Sequence, residues 1–264
     1  MPHVPGPDQP TLFDTPVAEG TQPEAADLDD VVIDPQLAWP DQALATFDLE
    51  TTGRDARTCR IVTASVLLVA PDGQILGQWE WLADPGVEIP DGAAAIHGIT
   101  TEHAREHGAP AGQVVSELVQ VIGDLFVRNI PVLAFNAPYD FTVLAAEAQR
   151  HGLDLAAPRP VLDPYVMHKQ VRVRWHGKRT LVALSEAYGI PLESAHTSAE
   201  DALAAVRLAQ ILAREHAELC VPAAALHDAQ IGWAEAQALN LQDYLRGVKN
   251  DPTIVIDGTW PVRS

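Results

Sequence analysis

One apolar segment that carries two acids constrains the fold of this chain most: Leu44-Ala-Thr-Phe-Asp48-Leu-Glu50-Thr-Thr-Gly53. Its apolar residues are typical of a buried β-strand, and Thr-Thr-Gly predicts the turn that ends the strand. Because side chains alternate between the faces of a strand, Asp48 and Glu50 share a face and lie close enough to repel each other. In a core strand only cations stabilise such a pair. A solvated edge strand is the commoner explanation of a lone Asp-x-Glu, so the rest of the chain must supply further ligands.

The composition is that of a globular domain with additional segments. The chain has 264 residues, of which 47% are hydrophobic and 20% charged, and these values are ordinary for a soluble protein. Two cysteines, Cys59 and Cys220, have no metal-ligand spacing and form no disulfide framework, so we expect a cytoplasmic protein. The first residues contain no Lys or Arg and no apolar stretch, which predicts no signal peptide, and no apolar run is long enough to span a membrane.

The formal net charge of −19 is unusual for a protein that binds nucleic acid. Residues 1–44 hold nine of the 36 acids and no Lys or Arg. The remaining chain therefore contains all 17 basic residues and 27 acids. Carboxylates that bind metal ions would account for part of this excess. The charge argues against non-specific coating of DNA, but it is compatible with a locally basic track.

Residues 1–42 are rich in Pro, Asp, Glu, Ala and Gln and predict a disordered acidic tail. Within it, Gln9 precedes an isolated apolar pair, Leu12 and Phe13. The pair is either two isolated hydrophobic residues or a short linear motif that docks in a pocket of another protein. Gln-x-x-Leu-Phe resembles the pentapeptide by which bacterial replication and repair proteins bind the sliding clamp. The resemblance implies that Gln9 forms hydrogen bonds while Leu12 and Phe13 fill an apolar pocket.

Alternating and helical apolar patterns predict an α/β domain over residues 43–217. The first strand is followed by antiparallel strands at 60–69 and 75–82, joined by a Pro-Asp-Gly turn. Two later short strands, at 131–135 and 159–163, complete a mixed five-stranded sheet. Predicted helices cover 111–127, 136–150, 181–188 and 198–217, and Thr100 is expected to cap a short one. A helix at about 223–246 and a Pro-containing tail form the region 218–264, to which the sequence assigns no role.

Two more acids are predicted at the beginnings of helices. Asn136 is expected to cap the helix whose first turn contains Asp140, and Thr197 or Ser198 caps the helix that contains Asp201. One interpretation is that Asp140 only complements the helix dipole, which contributes less than about 1 kcal/mol. The other is that Asp140 stands at the carboxyl edge of the sheet, where α/β folds collect ligands.

Residues 169–179 form a basic stretch in an acidic chain. They include five Lys or Arg residues, one Trp and no acid. A solvated loop is the usual explanation of such a run. We prefer a surface that contacts the backbone of single-stranded nucleic acid, with an aromatic ring for base stacking. The predicted contacts are Lys169, Arg172, Arg174 and Trp175.

Three segments together resemble the motifs of the DEDDh (DnaQ-like) 3′–5′ exonucleases, a family that includes the epsilon proofreading subunit of bacterial DNA polymerase III. They are Phe47-Asp48-Leu-Glu50-Thr-Thr-Gly53, Asn136-Ala-Pro-Tyr-Asp140 and His196-Thr-Ser-Ala-Glu-Asp201. The segment Ile96-His97-Gly98-Ile99-Thr100 resembles the loop before the family's first active-site helix. The alternative subclass carries Tyr four residues before the last Asp, whereas this chain has Thr197. The resemblance covers residues 44–215.

The resemblance implies a ribonuclease H-like fold and a hydrolase that releases nucleoside 5′-monophosphates from the 3′ end of single-stranded or mismatched DNA. Two Mg²⁺ ions, for which Mn²⁺ can substitute, activate water and stabilise the attacking and leaving oxygens in such enzymes. The implied metal ligands are Asp48, Glu50, Asp140 and Asp201, and His196 is implied to accept the proton of the water. The implied contacts with the 3′-terminal nucleotide are Thr51, Thr52, Ile96, His97 and Asn136.

Three hypotheses follow. The first is a DNA exonuclease of the proofreading or repair type, with a DNA polymerase as a further partner, and the clamp-like motif favours it. The second is an RNA 3′–5′ exonuclease of the same fold, which differs in how its site treats the 2′-hydroxyl. The third is an inactive adaptor that only binds nucleic acid. It is disfavoured because all five catalytic positions are filled.

Overall fold

The computed structural model describes residues 28–192 and 198–264. Six strands form a mixed sheet in the order β4-β3-β2-β1-β5-β6. The strands are β1 (Leu44–Thr51), β2 (Ile61–Val69), β3 (Ile75–Asp84), β4 (Ala109–Pro110), β5 (Val132–Leu133) and β6 (Val161–Leu162). The α-helices of these residues are α1 (Asp91–His97), α2 (Thr101–His107), α3 (Ala111–Val127), α4 (Pro138–Arg150), α5 (Pro164–Val171), α6 (Leu181–Tyr188), α7 (Ser198–Glu215) and α8 (Ala223–Lys249).

Strands β1, β2 and β3 form the antiparallel meander that the sequence predicts. In the β1–β2 pair, Asp48 lies opposite Ser65 and Glu50 lies opposite Thr63. The turn from β2 to β3 is closed by a 2.8 Å hydrogen bond from the Ala70 N–H to the Gln74 carbonyl. Gly73 occupies this turn with a φ of 89°, a conformation that favours glycine.

Strands β5 and β6 extend the sheet parallel to β1, but each has only two residues. Val132 and Leu133 of β5 pair with Ala45 and Thr46, so in the described chain no strand lies beside the second half of β1 on this side. The predicted α/β fold class is confirmed. The sheet has six strands instead of five because β4 pairs with the end of β3, and a two-residue strand leaves no alternating pattern in the sequence.

Helices cover both faces of the sheet. On one face, α3 and α4 pack against Ala45, Phe47 and Leu49 of β1, and the ring of Phe47 meets that of Phe141 edge-on at 5.5 Å. On the other face α7 packs against β1, where the Thr46 hydroxyl donates a 3.1 Å hydrogen bond to the Ala202 carbonyl. Since Thr46 shares its face with Asp48 and Glu50, the two acids lie on the α7 side of the sheet.

Two short helices and one helix cap differ from the sequence prediction. Helices α1 and α5 were not predicted, because seven or eight residues contain too few periods to show a pattern. The predicted cap Asn136 is wrong, since Ala137 is the cap residue and Asn136 adopts a φ of 62°. The reason is tertiary: the Asn136 and Ala137 N–H groups donate to the carboxylate of Asp163, 27 and 26 residues away.

The predicted tail of residues 1–42 is too long, because residues 28–42 pack on the domain. Trp39 is 0% exposed, and its indole N–H donates a 2.8 Å hydrogen bond to the Leu219 carbonyl. Burial of an aromatic ring contributes on the order of 2–3 kcal/mol, which is enough to hold this segment in place. The predicted clamp-binding residues Gln9, Leu12 and Phe13 lie outside the described residues.

Helix α8 covers the outer edge of β6. Gln230 accepts a 2.7 Å hydrogen bond from the Asp163 N–H and donates one of 3.1 Å to the Val161 carbonyl. His227 accepts from the Val161 N–H at 3.0 Å. These side chains take the place of a neighbouring strand and protect the edge. Among the described residues, no helix combines the length and the apolar character that crossing a membrane requires.

Candidate active site

Asp48 and Glu50 point from β1 toward α7, and both side chains are half-buried. The strand is fixed around them by buried neighbours, since Phe47 and Leu49 are 1% and 5% exposed. The pairing with β2 shifts register between Glu50 and Thr51. The backbone therefore leaves the regular strand geometry directly after the second acid.

Asp140 reaches the same region from the first turn of α4. It is 4% exposed, and its Oδ1 accepts a 3.2 Å hydrogen bond from the Leu49 N–H. This N–H is available because β5 ends before it can pair with the second half of β1. The short strand predicted at 131–135 therefore positions the third acid between Asp48 and Glu50 along β1.

Asp201 approaches from the first turn of α7. Its neighbour Ala202 is 1% exposed and accepts the hydrogen bond from Thr46 that joins α7 to β1. Repulsion from Asp201 raises the pKa of both Asp48 and Glu50. The structure thus brings together the four carboxylates that the sequence selects, from one strand and two helices.

Burial and mutual repulsion make this group of acids hard to ionise. Burial raises the pKa of Asp48 well above its usual range, and Asp140, Glu50 and Asp201 raise it further. Burial and then Asp201 raise the pKa of Glu50 to about 7. Burial also raises the pKa of Asp140, while the hydrogen bond from Leu49 opposes this rise. Cations of high charge density are the partners that relieve such repulsion.

The donor set fits hard divalent cations, because Mg²⁺ and Mn²⁺ prefer carboxylate oxygens. In the observed rotamers, and within the described residues, no three His, Cys, Asp or Glu side chains are arranged to hold one ion. The fit therefore rests on the chemistry and electrostatics of the four acids, and it requires their side chains to turn toward a common point. The predicted base His196 lies outside the described residues.

The residues predicted to hold the 3′-terminal nucleotide lie beside the end of β1. Ile96 is 46% exposed, whereas His97 is 8% exposed. Burial lowers the pKa of His97, and a contact with the Thr51 backbone opposes this. Thr52 is engaged in the β1–β2 loop, where its hydroxyl accepts a 3.0 Å hydrogen bond from the Arg60 N–H. Thr51, Thr52 and His97 thus lie at the end of the strand that carries Asp48 and Glu50.

Two functional neighbours of the acids were not predicted from the sequence. Tyr139 donates a 2.6 Å hydrogen bond to the Gly53 carbonyl and contacts the Thr51 hydroxyl, so it ties α4 to the turn after β1. Asp163 is 0% exposed, and burial raises its pKa to about 6. Its position directly after a predicted strand was the available signal, but only the folded chain shows that it caps the start of α4.

The basic stretch is partly engaged in internal contacts. Arg172 forms an ion pair with Glu215, and the ring of Trp175 stacks on Tyr188 with centroids 6.0 Å apart. Lys169 lies over the ring of Tyr165, 5.1 Å from its centroid. Arg174 is exposed. The structure therefore brings these residues together around α5, but it does not bring Trp175 to the surface as a fully exposed ring.

The fold and these side chains define an α/β enzyme with an acidic centre at the ends of β1, α4 and α7. Residues 46–209 match the family model of RNase T, described as an exonuclease. This match spans more than half of the chain, which therefore belongs to the DnaQ-like RNase T family of 3′–5′ exonucleases. Members of this family are typically metal-dependent.

Curated relatives include PolC-type DNA polymerases III of streptococci. The polymerase of Streptococcus suis is 27% identical over 204 residues, which are 76% of this chain and 13% of the polymerase. That of Streptococcus agalactiae serotype III is 29% identical over 174 residues, or 65% of this chain and 11% of the polymerase. The chain thus spans about an eighth of the length of these relatives.

Solved structures with the same fold include exonuclease I. The Escherichia coli enzyme in complex with a dA16 oligonucleotide has a TM-score of 0.56 and 19% identity, and the match covers 67% of this chain and 42% of that one. The enzyme of Methylocaldum szegediense has a TM-score of 0.54 and 20% identity, with 67% and 41% covered. A structure of SSB and exonuclease I with an inhibitor also matches. At these identities the similarity shows the fold.

Proposed function

We propose that this protein removes nucleoside 5′-monophosphates from the 3′ end of single-stranded or mismatched DNA in a metal-dependent reaction of the proofreading or repair type. The observation that carries the proposal is the group of four acids, in which Asp140, Glu50 and Asp201 each raise the pKa of Asp48. Such a group is unfavourable in a fold unless it binds cations. Similarity to PolC-type polymerases and to an exonuclease I crystallised with dA16 supports DNA as the substrate.

In the proposed mechanism, Asp48, Glu50, Asp140 and Asp201 hold two Mg²⁺ ions. When bound, the ions lower the pKa of a water molecule and stabilise charge on the oxygens of the scissile phosphate. His196 accepts the proton of the attacking water. Thr51, Thr52 and Asn136 contact the terminal nucleotide, Ile96 and His97 contact its base, and Lys169, Arg172, Arg174 and Trp175 contact the strand that leads to it.

The test is a cleavage assay with 5′-labelled and 3′-labelled single-stranded DNA in Mg²⁺, Mn²⁺ or EDTA. We expect a metal-dependent ladder of products shortened from the 3′ end, and no ladder with Asp48→Ala. The matched control is Glu80→Gln, because Glu80 is exposed on β3, which β2 separates from β1, and its replacement leaves the rate unchanged. Cleavage by Asp48→Ala at the wild-type rate would show that the assigned site is wrong.

A second candidate substrate is RNA, and the match to the RNase T family favours it. Parallel assays with RNA and DNA of the same base sequence decide between the two. A preference for DNA of at least tenfold in kcat/KM supports the first candidate, and the reverse preference supports the second.

We also propose that Gln9, Leu12 and Phe13 bind the sliding clamp, which would bring the exonuclease to a DNA polymerase. The motif supports this proposal, as does similarity to polymerases whose chains are much longer than this one. Binding of the purified clamp is measured by surface plasmon resonance with the wild type and with the Leu12→Ala/Phe13→Ala variant. Equal affinity of the two proteins would exclude the motif.

A further inference from the structure

Three arginines line a pocket that also contains Tyr139, the residue before Asp140 in the sequence. The pocket, which we call the arginine pocket, has a volume of about 320 Å³ and contains Arg54, Arg57, Arg263, Asn136, Tyr139 and Thr142. Asp55 also lines it. The chain has only 17 basic residues against 36 acids, so a pocket with three basic groups and one acid differs sharply from the rest of the protein.

The C-terminal segment builds one wall of the arginine pocket. The Arg263 N–H donates a 2.9 Å hydrogen bond to the Thr142 hydroxyl in α4. Three residues earlier, Trp260 is 5% exposed, and its indole N–H donates to Asp163 at 3.3 Å. The segment after α8 is therefore anchored in the fold, and it delivers Arg263 to two arginines that lie more than 200 positions earlier in the chain.

The surrounding protein neutralises the three guanidinium groups only in part, through the nearby acids Asp55 and Asp257. Among the residues that the structure describes, none of the three forms an ion pair with a carboxylate. The carboxylate of Asp55 accepts the Arg57 N–H at 3.1 Å. Hydrogen bonds from Thr259, and then the charges of Arg263 and Arg57, lower the pKa of Asp257, and Arg263 donates to the carbonyl of this residue at 3.1 Å. Three exposed cations around one cavity repel each other, and an anion in the cavity relieves that repulsion.

Several residues of the arginine pocket lie close in the chain to two of the four acids, within the reach of a short nucleic-acid strand. Tyr139 in its wall precedes Asp140, and Arg54 follows Glu50 by four residues, which is at most about 13 Å of extended chain. The hydroxyl of Tyr139 contacts Thr51 and Gly53, which follow Glu50 by one and three residues. Two or three nucleotides can span such a distance, and arginine is the side chain best suited to phosphate oxygens.

We infer that the arginine pocket binds a backbone phosphate of single-stranded DNA on the 5′ side of the scissile bond, through Arg54, Arg57 and Arg263. This inference rests on the proposed exonuclease function, since it places the strand relative to the acids. It gives the C-terminal segment a role, which is to complete the binding track for long substrates. A dinucleotide, whose terminal nucleotide contacts Asn136, is too short to place a phosphate among the three guanidinium groups.

Steady-state kinetics with substrates of two lengths test this inference. For Arg54→Ala and Arg263→Ala, we expect KM for dT12 to rise three- to tenfold with kcat unchanged, while KM for a dinucleotide stays the same. Arg263→Lys should retain most of the affinity. The logarithmic dependence of KM on salt concentration should become weaker by about 0.7 for each lost phosphate contact. Arg214→Ala is the control, because Arg214 is exposed on α7 about 20 Å along the helix from Asp201.

Two results would overturn the inference: unchanged KM for dT12 in both variants, or equal rises in KM for dT12 and the dinucleotide. The second result would place the terminal phosphate or the released mononucleotide in the pocket. Binding of fluorescein-labelled dT12 in EDTA, followed by anisotropy, separates this inference from the proposed function. If the wild type cleaves nothing but binds dT12 three- to tenfold more tightly than the two variants, the pocket is supported and the exonuclease proposal fails.

Discussion

Replacement of Glu50 by Gln tests whether the acidic centre destabilises the fold in the absence of cations. Burial and Asp201 raise the pKa of Glu50 from 4.5 to about 7. A folded-state pKa above the unfolded value means that the folded chain binds more protons between these two pH values. The contribution of Glu50 to the free energy of unfolding is therefore fully present below pH 4.5 and is lost as the pH rises toward 7.

The size of the effect follows from the pKa difference. The rise corresponds to about 3 kcal/mol, and to about 2 kcal/mol when screening of a half-buried carboxylate is included. In EDTA, the wild type should thus lose about 2 kcal/mol of unfolding free energy through Glu50 between pH 5 and 8. Glu50→Gln should avoid this loss and unfold about 4–8 °C higher than the wild type at pH 8.

Urea and thermal unfolding, followed by circular dichroism at pH 5, 6, 7 and 8 in EDTA, measure these differences. Addition of Mg²⁺ at pH 8 should stabilise the wild type more than Glu50→Gln, because the variant has lost one proposed ligand. Glu80→Gln serves as the control, since Glu80 is exposed on β3 and should follow the wild type. The reasoning is refuted if Glu50→Gln in EDTA shows the same dependence on pH as the wild type, or is less stable at pH 8.

Three further predictions concern the support of the site. Gln230→Ala should lower the unfolding free energy by about 2–3 kcal/mol in urea titrations, because the Val161 carbonyl and the Asp163 N–H lose their partner; a change below about 0.5 kcal/mol would contradict this. Asp163→Asn should destabilise the protein by about 2 kcal/mol or more, since an amide nitrogen cannot accept from the Ala137 N–H and the Trp260 indole. Isosteric Thr142→Val is its comparison and should cost less. Burial lowers the pKa of His168 and His227 to about 4, so both imidazoles should stay neutral at pH 5.5 in NMR spectra. Their contribution to stability is fully present above the unfolded pKa of 6.5 and is lost as the pH falls from 6.5 to 4.

Local patterns determined much of this protein from its sequence. The alternation in β1 placed Asp48 and Glu50 on one face because a strand repeats every two residues. The period of α3 predicted its bounds, since 17 residues contain several turns of apolar repeats. The residues of the three acidic segments resembled the motifs of the exonuclease family before any contact was known. These features depend on residues near each other in the chain, so the sequence alone is enough to predict them.

Contacts between distant residues were decided only by the tertiary structure. Asp140 binds the Leu49 N–H across 91 positions, and this requires β5 to end early. Asp163 accepts hydrogen bonds from the Asn136 and Ala137 N–H groups because β5 and β6 are neighbours in the sheet. Trp39 and Trp260 are buried at opposite ends of the described chain, and no periodic apolar pattern there predicts their burial. Packing selects these partners by shape, by free hydrogen-bonding groups and by charge, and a linear sequence records none of these relations between distant positions.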